Sequence, residues 1–391
     1  MSENAKKPRI RFKGFTDAWE QRKLGQIGSV AMCKRVFKEQ TQEEGDIPFY
    51  KIGTFGGQAD AYISNELFEE YKEKYPYPQK GDILISASGS IGRTVVFSGK
   101  KEYFQDSNIV WLEHGGKIDN TFLRFFYEVV VWEGIEGSTI KRLYNDNILK
   151  TKINIPKRVE QAKIGCILEQ LDKLITLHQR KYDKLVDVKK SLLEKMFPQG
   201  DENTPKIRFK GFTETWEQRE FGEIANRTTE ISTDTCYPCV EYEDIISGRG
   251  VLNKDVFKKK IHKAGIVFYS GDILYGKLRP YLHNWYLASF SGLAVGDFWV
   301  LQAEKVENTF LYRLIQSRIF DEIANQSTGT KMPRADWKLV SKMKFGIPLQ
   351  KEEQGKIGLL FIEIDKLITL HQRKLEKLKN VKSALLEKMF V

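Results

Sequence analysis

One block of this sequence occurs twice, and that duplication limits what the chain can fold into. Pro8-Arg-Ile-Arg-Phe-Lys-Gly-Phe-Thr-Asp-Ala-Trp-Glu-Gln-Arg22 returns as Pro205-Lys-Ile-Arg-Phe-Lys-Gly-Phe-Thr-Glu-Thr-Trp-Glu-Gln-Arg219. A second block, residues 161–197, returns as residues 354–390. It contains the identical runs Asp172-Lys-Leu-Ile-Thr-Leu-His-Gln-Arg-Lys181 and Asp365-Lys-Leu-Ile-Thr-Leu-His-Gln-Arg-Lys374. Self-similarity of this length means one structural unit built twice. Between the anchors the copies diverge, yet fragments still align: Gly81-Asp-Ile-Leu84 with Gly271-Asp-Ile-Leu274, Asn120-Thr-Phe-Leu123 with Asn308-Thr-Phe-Leu311, and Ile155-Pro156 with Ile347-Pro348. A shared scaffold therefore carries two surfaces. Ser86-Ala-Ser-Gly-Ser-Ile-Gly-Arg93 follows the first Gly-Asp-Ile-Leu, and Tyr275-Gly-Lys-Leu-Arg-Pro-Tyr281 follows the second.

A chain of 391 residues needs more than one core. The repeat divides it into a first variable domain (1–157), a first constant helix (158–197), a linker (198–204), a second variable domain (205–349) and a second constant helix (350–391). Ile83-Leu-Ile, Thr94-Val-Val-Phe97 and Ile109-Val-Trp-Leu112 read as short strands bounded by Gly and Ser, as does Phe298-Trp-Val-Leu301. Residues 121–132 and 309–320 carry helical periodicity. Each variable domain is thus expected to be mixed α/β, and the whole chain α+β.

The constant blocks carry a heptad. Ile164, Leu171, His178, Leu185 and Leu192 recur every seven residues, and so do Ile357, Ile364, His371, Leu378 and Leu385. Each helix thus has one stripe that needs a partner, and the other helix is the obvious candidate. A pseudo-two-fold would run the two helices antiparallel as a coiled coil and bring His178 near His371 as polar seam residues that set register. A helix over 161–197 is roughly 55 Å long, about 16 base pairs of DNA, which suits a spacer; a plain bundle with no measuring role is the alternative.

Charge points to a polyanionic partner. Lys and Arg number 63 against 52 Asp and Glu, a net +11, with an isoelectric point near 9.2, which favours phosphate through counterion release. Four cysteines in so long a chain are not a disulfide framework and agree with a reducing compartment. Cys236 and Cys239 form one C-x-x-C with no second pair, so no metal site is expected. The polar opening Met1-Ser2-Glu3-Asn4 and the lack of a long apolar run predict a cytoplasmic protein without a membrane partner. No phosphate-loop, dinucleotide, zinc-protease or amino-methyltransferase motif occurs. Ser88-Gly-Ser-Ile-Gly-Arg93 looks like a phosphate loop, but a strand rather than a helix follows it. No catalytic residues are predicted.

With these residues on the page, the chain resembles the specificity subunit of type I restriction-modification systems. The resemblance rests on two differing domains, two nearly invariant helices, and the phrases Trp19-Glu-Gln-Arg, Gly81-Asp-Ile-Leu, Ser138-Thr-Ile-Lys-Arg142 and Leu192-Leu-Glu-Lys-Met-Phe197. It implies that the variable domains are target-recognition domains, each reading one half of an asymmetric double-stranded DNA target split by a gap. It implies two methyltransferase (modification) subunits as partners, with restriction subunits in the full complex. S-adenosylmethionine, ATP and Mg would then belong to those partners, with no cofactor on this chain and adenine as the methylated base.

DNA contacts are expected on loops that combine charge, small polar groups and aromatics, because Arg and Lys pair with guanine edges or phosphates. In the first domain these are Lys51, Ser88, Ser90, Arg93, Lys141 and Arg142; in the second, Lys277, Arg279, Tyr281, Lys331 and Arg334. Arg142 and Arg334 align when counted back from the two Ile-Pro pairs. Two rivals stand beside this reading: a self-contained methyltransferase or nuclease with duplicated recognition domains, and a coiled-coil scaffold whose variable domains bind proteins.

Overall fold

The structure, a computed structural model, describes residues 7–134, 142–200, 202–259, 263–326 and 332–391. It resolves into two compact units. Unit 1 is Met1–His178 with Lys374–Val391, and unit 2 is Gln179–Arg373. Each constant block is one helix, Arg158–Lys195 and Lys351–Met389, and each helix contributes to both units.

Unit 1 is organised around an antiparallel four-stranded sheet in the order Ser29–Met32, Ile109–Glu113, Ile83–Ser86, Thr94–Val96. Successive side chains of a strand point to opposite faces, and here both faces are covered. Ile83, Ile85, Val110 and Leu112 enter a core shared with helix Asn120–Val129 and the long helices. Leu84, Ile109 and Trp111 enter a second core. That second core is closed by a small sheet in which Ile47–Tyr50 pairs antiparallel with Tyr62–Ile63 and parallel with Tyr103–Phe104.

Unit 2 repeats the plan with different side chains. Its sheet runs Ala225–Thr228, Phe298–Ala303, Ile273–Gly276, Trp285–Leu287. Ile273, Tyr275, Trp299 and Leu301 face the helical core, while Leu274, Phe298 and Val300 face the other. A parallel pair, Cys239–Val240 with Gly292–Ala294, stands where unit 1 has its own. The α+β reading holds, with one local difference. Residues 309–320 form two short helices, Asn308–Leu314 and Arg318–Ala324, because the Ser317 side chain accepts from Phe320 N–H and starts a new helix.

Within each unit the long helices pack antiparallel along the predicted heptad. In unit 1, Ile164, Leu168 and Leu171 lie against Met389, Leu386 and Leu385. In unit 2, Ile357 and Phe361 lie against Phe197, Met196 and Leu192. The ends of the helices are anchored by the first repeated block. Trp19 and Phe122 pack on Phe390 with ring centroids 6.4 and 5.1 Å away; Trp216 and Phe310 pack on Phe197 at 6.3 and 5.6 Å. Buried Glu160 and Glu353 each take a two-toothed hydrogen bond from an arginine of that block, Arg11 at 2.6 and 2.8 Å and Arg208 at 2.7 and 2.8 Å. Such forked pairs fix geometry as well as charge.

An aspartate on each helix gathers two cations. Asp172 holds Arg124 at 2.6 Å and Lys382 at 2.7 Å. Asp365 holds Arg313 at 2.8 Å and Lys189 at 2.7 Å. The chemistry is identical and the burial is not: the Arg313 side chain is 2% exposed and that of Arg124 29%. No described helix is long and apolar enough to cross a membrane.

Candidate nucleic-acid interface

In both units the loop after the central strand is tied to a segment more than fifty residues further on. An isolated bridge joins Ser88 to Arg142, and another joins Leu278 to Arg334. The surrounding backbone is the same in each. Ala87 N–H donates to Asn108 O at 2.8 Å and Leu143 N–H to Ala87 O at 2.8 Å. Lys277 N–H donates to Asp297 O at 2.9 Å and Ala335 N–H to Lys277 O at 2.8 Å. Matching backbone partners align Ala87 with Lys277, Ser88 with Leu278, Asn108 with Asp297 and Arg142 with Arg334. The frame is constant, one arginine is constant, and the neighbours of that arginine change.

Those neighbours set its electrostatics. In unit 1, Ser88 Oγ is 2.8 Å from Asn108 Oδ1, and Arg142 Nη2 donates to Ser107 Oγ at 2.9 Å. Arg142 also lies over the Tyr144 ring, 5.7 Å from its centroid, beside an open cleft of about 600 Å³ that Asn145 and Asn147 help to line. The residues that Arg142 touches are neutral, and the carboxylate that lines the cleft, Asp146, is paired with Lys150 at 3.1 Å. In unit 2, Asp297 receives Arg334 Nη2 at 2.9 Å and lies 3.6 Å from Lys277 Nζ. Tyr242 braces this group, its hydroxyl donating to Asp297 O at 2.5 Å and accepting from Leu278 N–H at 3.0 Å. Burial holds the Tyr242 phenol well above its ordinary range, so it stays a donor.

The other expected residues spread around these centres. Ser90 serves the turn itself, its carbonyl accepting from Ser86 Oγ at 2.5 Å. Arg93 projects toward residues 54–57, since a Cβ built on Gly56 would stand 3.1 Å from Arg93 Nη2. Lys51 sits on the loop preceding that segment and pairs with Asp60 at 2.9 Å. Arg279 and exposed Tyr281 occupy the loop beyond Lys277. Lys141 and Lys331 lie outside the described residues. Sequence reasoning missed Ser107, Asn108, Asp297 and Tyr242. The Gly-Asp-Ile-Leu anchor alone could not reveal them, because they reach the loop from other strands and turns.

The arrangement has no nucleophile–base pair at its centre. It presents donors, acceptors and one fixed guanidinium at the end of a rigid sheet, which is a chemistry of recognition. Among the described residues no cluster of three or more His, Cys, Asp or Glu side chains is arranged to hold a metal ion; Cys236 is exposed and Cys239 buried.

Comparison with known proteins bears on both units. The family model for the type I restriction modification DNA specificity domain matches residues 16–186 and 213–380. A Haemophilus influenzae chain described as a type I restriction enzyme specificity subunit is 60% identical over 152 residues, 39% of this chain and 40% of that one. The specificity subunit of the Escherichia coli type I restriction enzyme EcoDI is 20% identical over 294 residues, 66% of each chain. Both matches span less than two thirds of the relative's own length. Among solved structures, the type I restriction-modification system S subunit from M. genitalium is similar with a TM-score of 0.61 and 16% identity, over 98% of this chain and 99% of that one. At that identity the likeness is one of fold.

Proposed function

Because this chain belongs to the family of type I restriction-modification DNA specificity domains, we propose that it is a non-catalytic subunit whose two units each read one half of a split, asymmetric DNA target. The observation that carries this reading is the pair of matched frames: Arg142 and Arg334 are held by the same backbone pattern, while Ala87 and Asn108 are exchanged for Lys277 and Asp297. Two halves of one target then differ because the neighbours of a common arginine differ. A constant frame with exchanged donors and acceptors is what base-edge readout requires.

The long helices serve partner binding and spacing. Leu174, Leu177 and Val188 stay exposed on the first helix, and their identical counterparts Leu367, Leu370 and Val381 on the second. Two equal apolar sets support two copies of one partner, the methyltransferase (modification) subunits, with restriction subunits joining them. S-adenosylmethionine, ATP and Mg act on those partners, adenine is the methylated base, and the complex works in the cytoplasm.

Methylome sequencing of cells with and without the chain tests this. We expect one bipartite adenine-modified motif that vanishes with the chain, with Arg142→Ala relaxing one half and Arg334→Ala the other. Loss of a good base contact weakens discrimination by about 1–3 kcal/mol. A motif that persists without the chain, or substitutions that weaken all DNA equally, would refute half-site reading. Purified chain that methylates or cuts DNA alone would refute the non-catalytic role.

A further inference from the structure

The duplicated scaffold supplies its own control for one loop. The turn after the central strand is closed the same way in both units, by Ser86 N–H to Arg93 O at 2.9 Å and by Gly276 N–H to Asn284 O at 2.7 Å. Two positions of this turn lie in the left-handed region. In unit 1 they are Gly89 (φ 64°) and Gly92 (φ 80°), where no Cβ opposes the conformation. In unit 2 they are Arg279 (φ 49°) and His283 (φ 54°), so unit 2 holds under strain what unit 1 adopts freely. Strain at non-glycine residues persists only where surrounding contacts impose it and is concentrated at functional sites.

Those contacts are present at both ends of the loop. Arg279 N–H donates to Pro333 O at 2.7 Å, and Pro280 fixes the next φ. The His283 ring stacks on Trp285 with centroids 4.9 Å apart, its Nε2 lies 2.9 Å from Asp321 Oδ1, and its carbonyl accepts from Gly248 N–H at 3.0 Å. The result is a rigid tip with Tyr281 52% and Leu282 38% exposed. In unit 1 the tip is Ser90 and Ile91, and Ile91 packs back onto the core. A mobile tip would bury its tyrosine and leucine in the same way to remove apolar surface from water; the tip of unit 2 is held away. Around it stand Lys277, Arg279 and Arg334 against the carboxylates of Asp297 and Asp321, the latter turned to His283, a balance that favours a polyanion over an apolar protein partner.

We propose that Tyr281 and Leu282 form a wedge that enters the DNA duplex at the half-site read by unit 2 and opens one base step. Apolar side chains inserted between base pairs unstack and kink a duplex, at a cost that depends on the step. Unit 2 would then select its half-site partly by how easily one step opens, whereas unit 1, with its glycine-flanked turn, reads without a wedge. The inference rests on the half-site reading above and adds a mode of selection to it.

The test uses the full chain, assembled with the partner subunits that it captures, and duplexes carrying the motif found by methylome sequencing. 2-Aminopurine replaces one base at a time across both halves. Beside the adenine that a methyltransferase subunit flips out in each half, the wild-type complex is expected to raise fluorescence several-fold at one further step, in one half only. Tyr281→Ser with Leu282→Ser is expected to abolish that rise and weaken binding several-fold, with thermal stability unchanged. Arg279→Gly with His283→Gly, which restores the glycine pattern of unit 1, is expected to lower the rise while stability is kept or increased. Specific binding with no fluorescence rise away from the flipped adenines overturns the wedge and leaves half-site reading standing; absence of specific binding by the wild-type complex overturns both. Loss of partner capture by the tip variant, with DNA binding intact, would make the tip a protein-docking element and overturn the wedge.

Discussion

Asp365→Ala and Asp172→Ala remove the same carboxylate from two copies of one design, and the structure predicts unequal costs. Without Asp365, the guanidinium of Arg313 is left 2% exposed and the ammonium of Lys189 12% exposed. An uncompensated buried charge of this kind costs about 3–5 kcal/mol. Without Asp172, Arg124 is 29% exposed and reaches water, and Lys382 keeps Glu128 at 2.9 Å, so the loss falls toward the surface-pair range of about 1 kcal/mol. For units of this size each kcal/mol moves the midpoint by roughly 2–4 °C. Differential scanning calorimetry should therefore show a fall of about 6–20 °C for Asp365→Ala and of a few degrees for Asp172→Ala. The pH dependence gives a second check. Burial lowers the Lys189 pKa against the opposing pull of Asp365. As pH rises toward the ordinary lysine range, the folded chain releases this proton before the unfolded chain does. The unfolded state then binds more protons, and stability rises with pH. Removing Asp365 lowers the folded pKa further, so the deficit of the variant should shrink as pH rises through that window. Replacing Asp365, Arg313 and Lys189 together by apolar residues of similar volume should recover most of the loss. Equal losses for the two aspartates, or a larger one for Asp172, would refute the burial argument.

Further expectations follow from the packing. Gly355 has open space around a built Cβ, so Gly355→Ala should stabilise the second long helix by about 0.5–1 kcal/mol, whereas at Gly358 the new methyl would overlap Thr309 Oγ1, and Gly358→Ala should destabilise by ~1–3 kcal/mol in urea titrations. Phe197→Ala empties a fully buried site between Trp216 and Phe310 and should cost ~3–5 kcal/mol, with a smaller loss for the less buried Phe390→Ala. Timed alkylation at pH 8 followed by mass spectrometry should label exposed Cys166 and Cys236 well before Cys33, whose thiol burial pushes up to about 12. Four helical residues inserted into each long helix add about 6 Å and should widen the gap in the methylated motif by about one or two base pairs; an unchanged gap would remove the spacer role.

Much of this architecture was legible in the sequence because it is periodic or repeated. The heptad predicts which residues of the long helices turn inward: Ile164, Ile357 and Ile364 are buried as expected, while Leu171, Leu185, Leu192, Leu378 and Leu385 are half-buried. The apolar runs at 83–85 and 109–112 are strands because both faces meet a core. What stayed hidden depends on long-range partners. Glu20–Lys23 has no apolar pattern and is a strand only through its pairing with Lys152–Ile155. The break at Ser317 is a capping choice that an amphipathic pattern conceals. The site was half readable. Arg142 and Arg334 could be aligned by counting, but Ser107, Asn108 and Asp297 join them only when separate strands and turns meet. The left-handed Arg279 and His283 gave no signal at all, since non-glycine residues seldom adopt that backbone.

The make-up of unit 1 fixes an order of birth. Its core is completed by Met389 and Phe390, and its Asp172 waits for Lys382, all of them synthesised after unit 2. Unit 2, by contrast, is one unbroken stretch, Gln179–Arg373. Domains ordinarily fold in the order of synthesis, but here the domain made first is the one finished last. Until residue 390 emerges, Trp19 and Phe122 have an uncovered face, so a nascent chain stalled after unit 2 would hold one closed domain and one open one. Pulse-labelled chains should therefore show protease protection of unit 2 before unit 1.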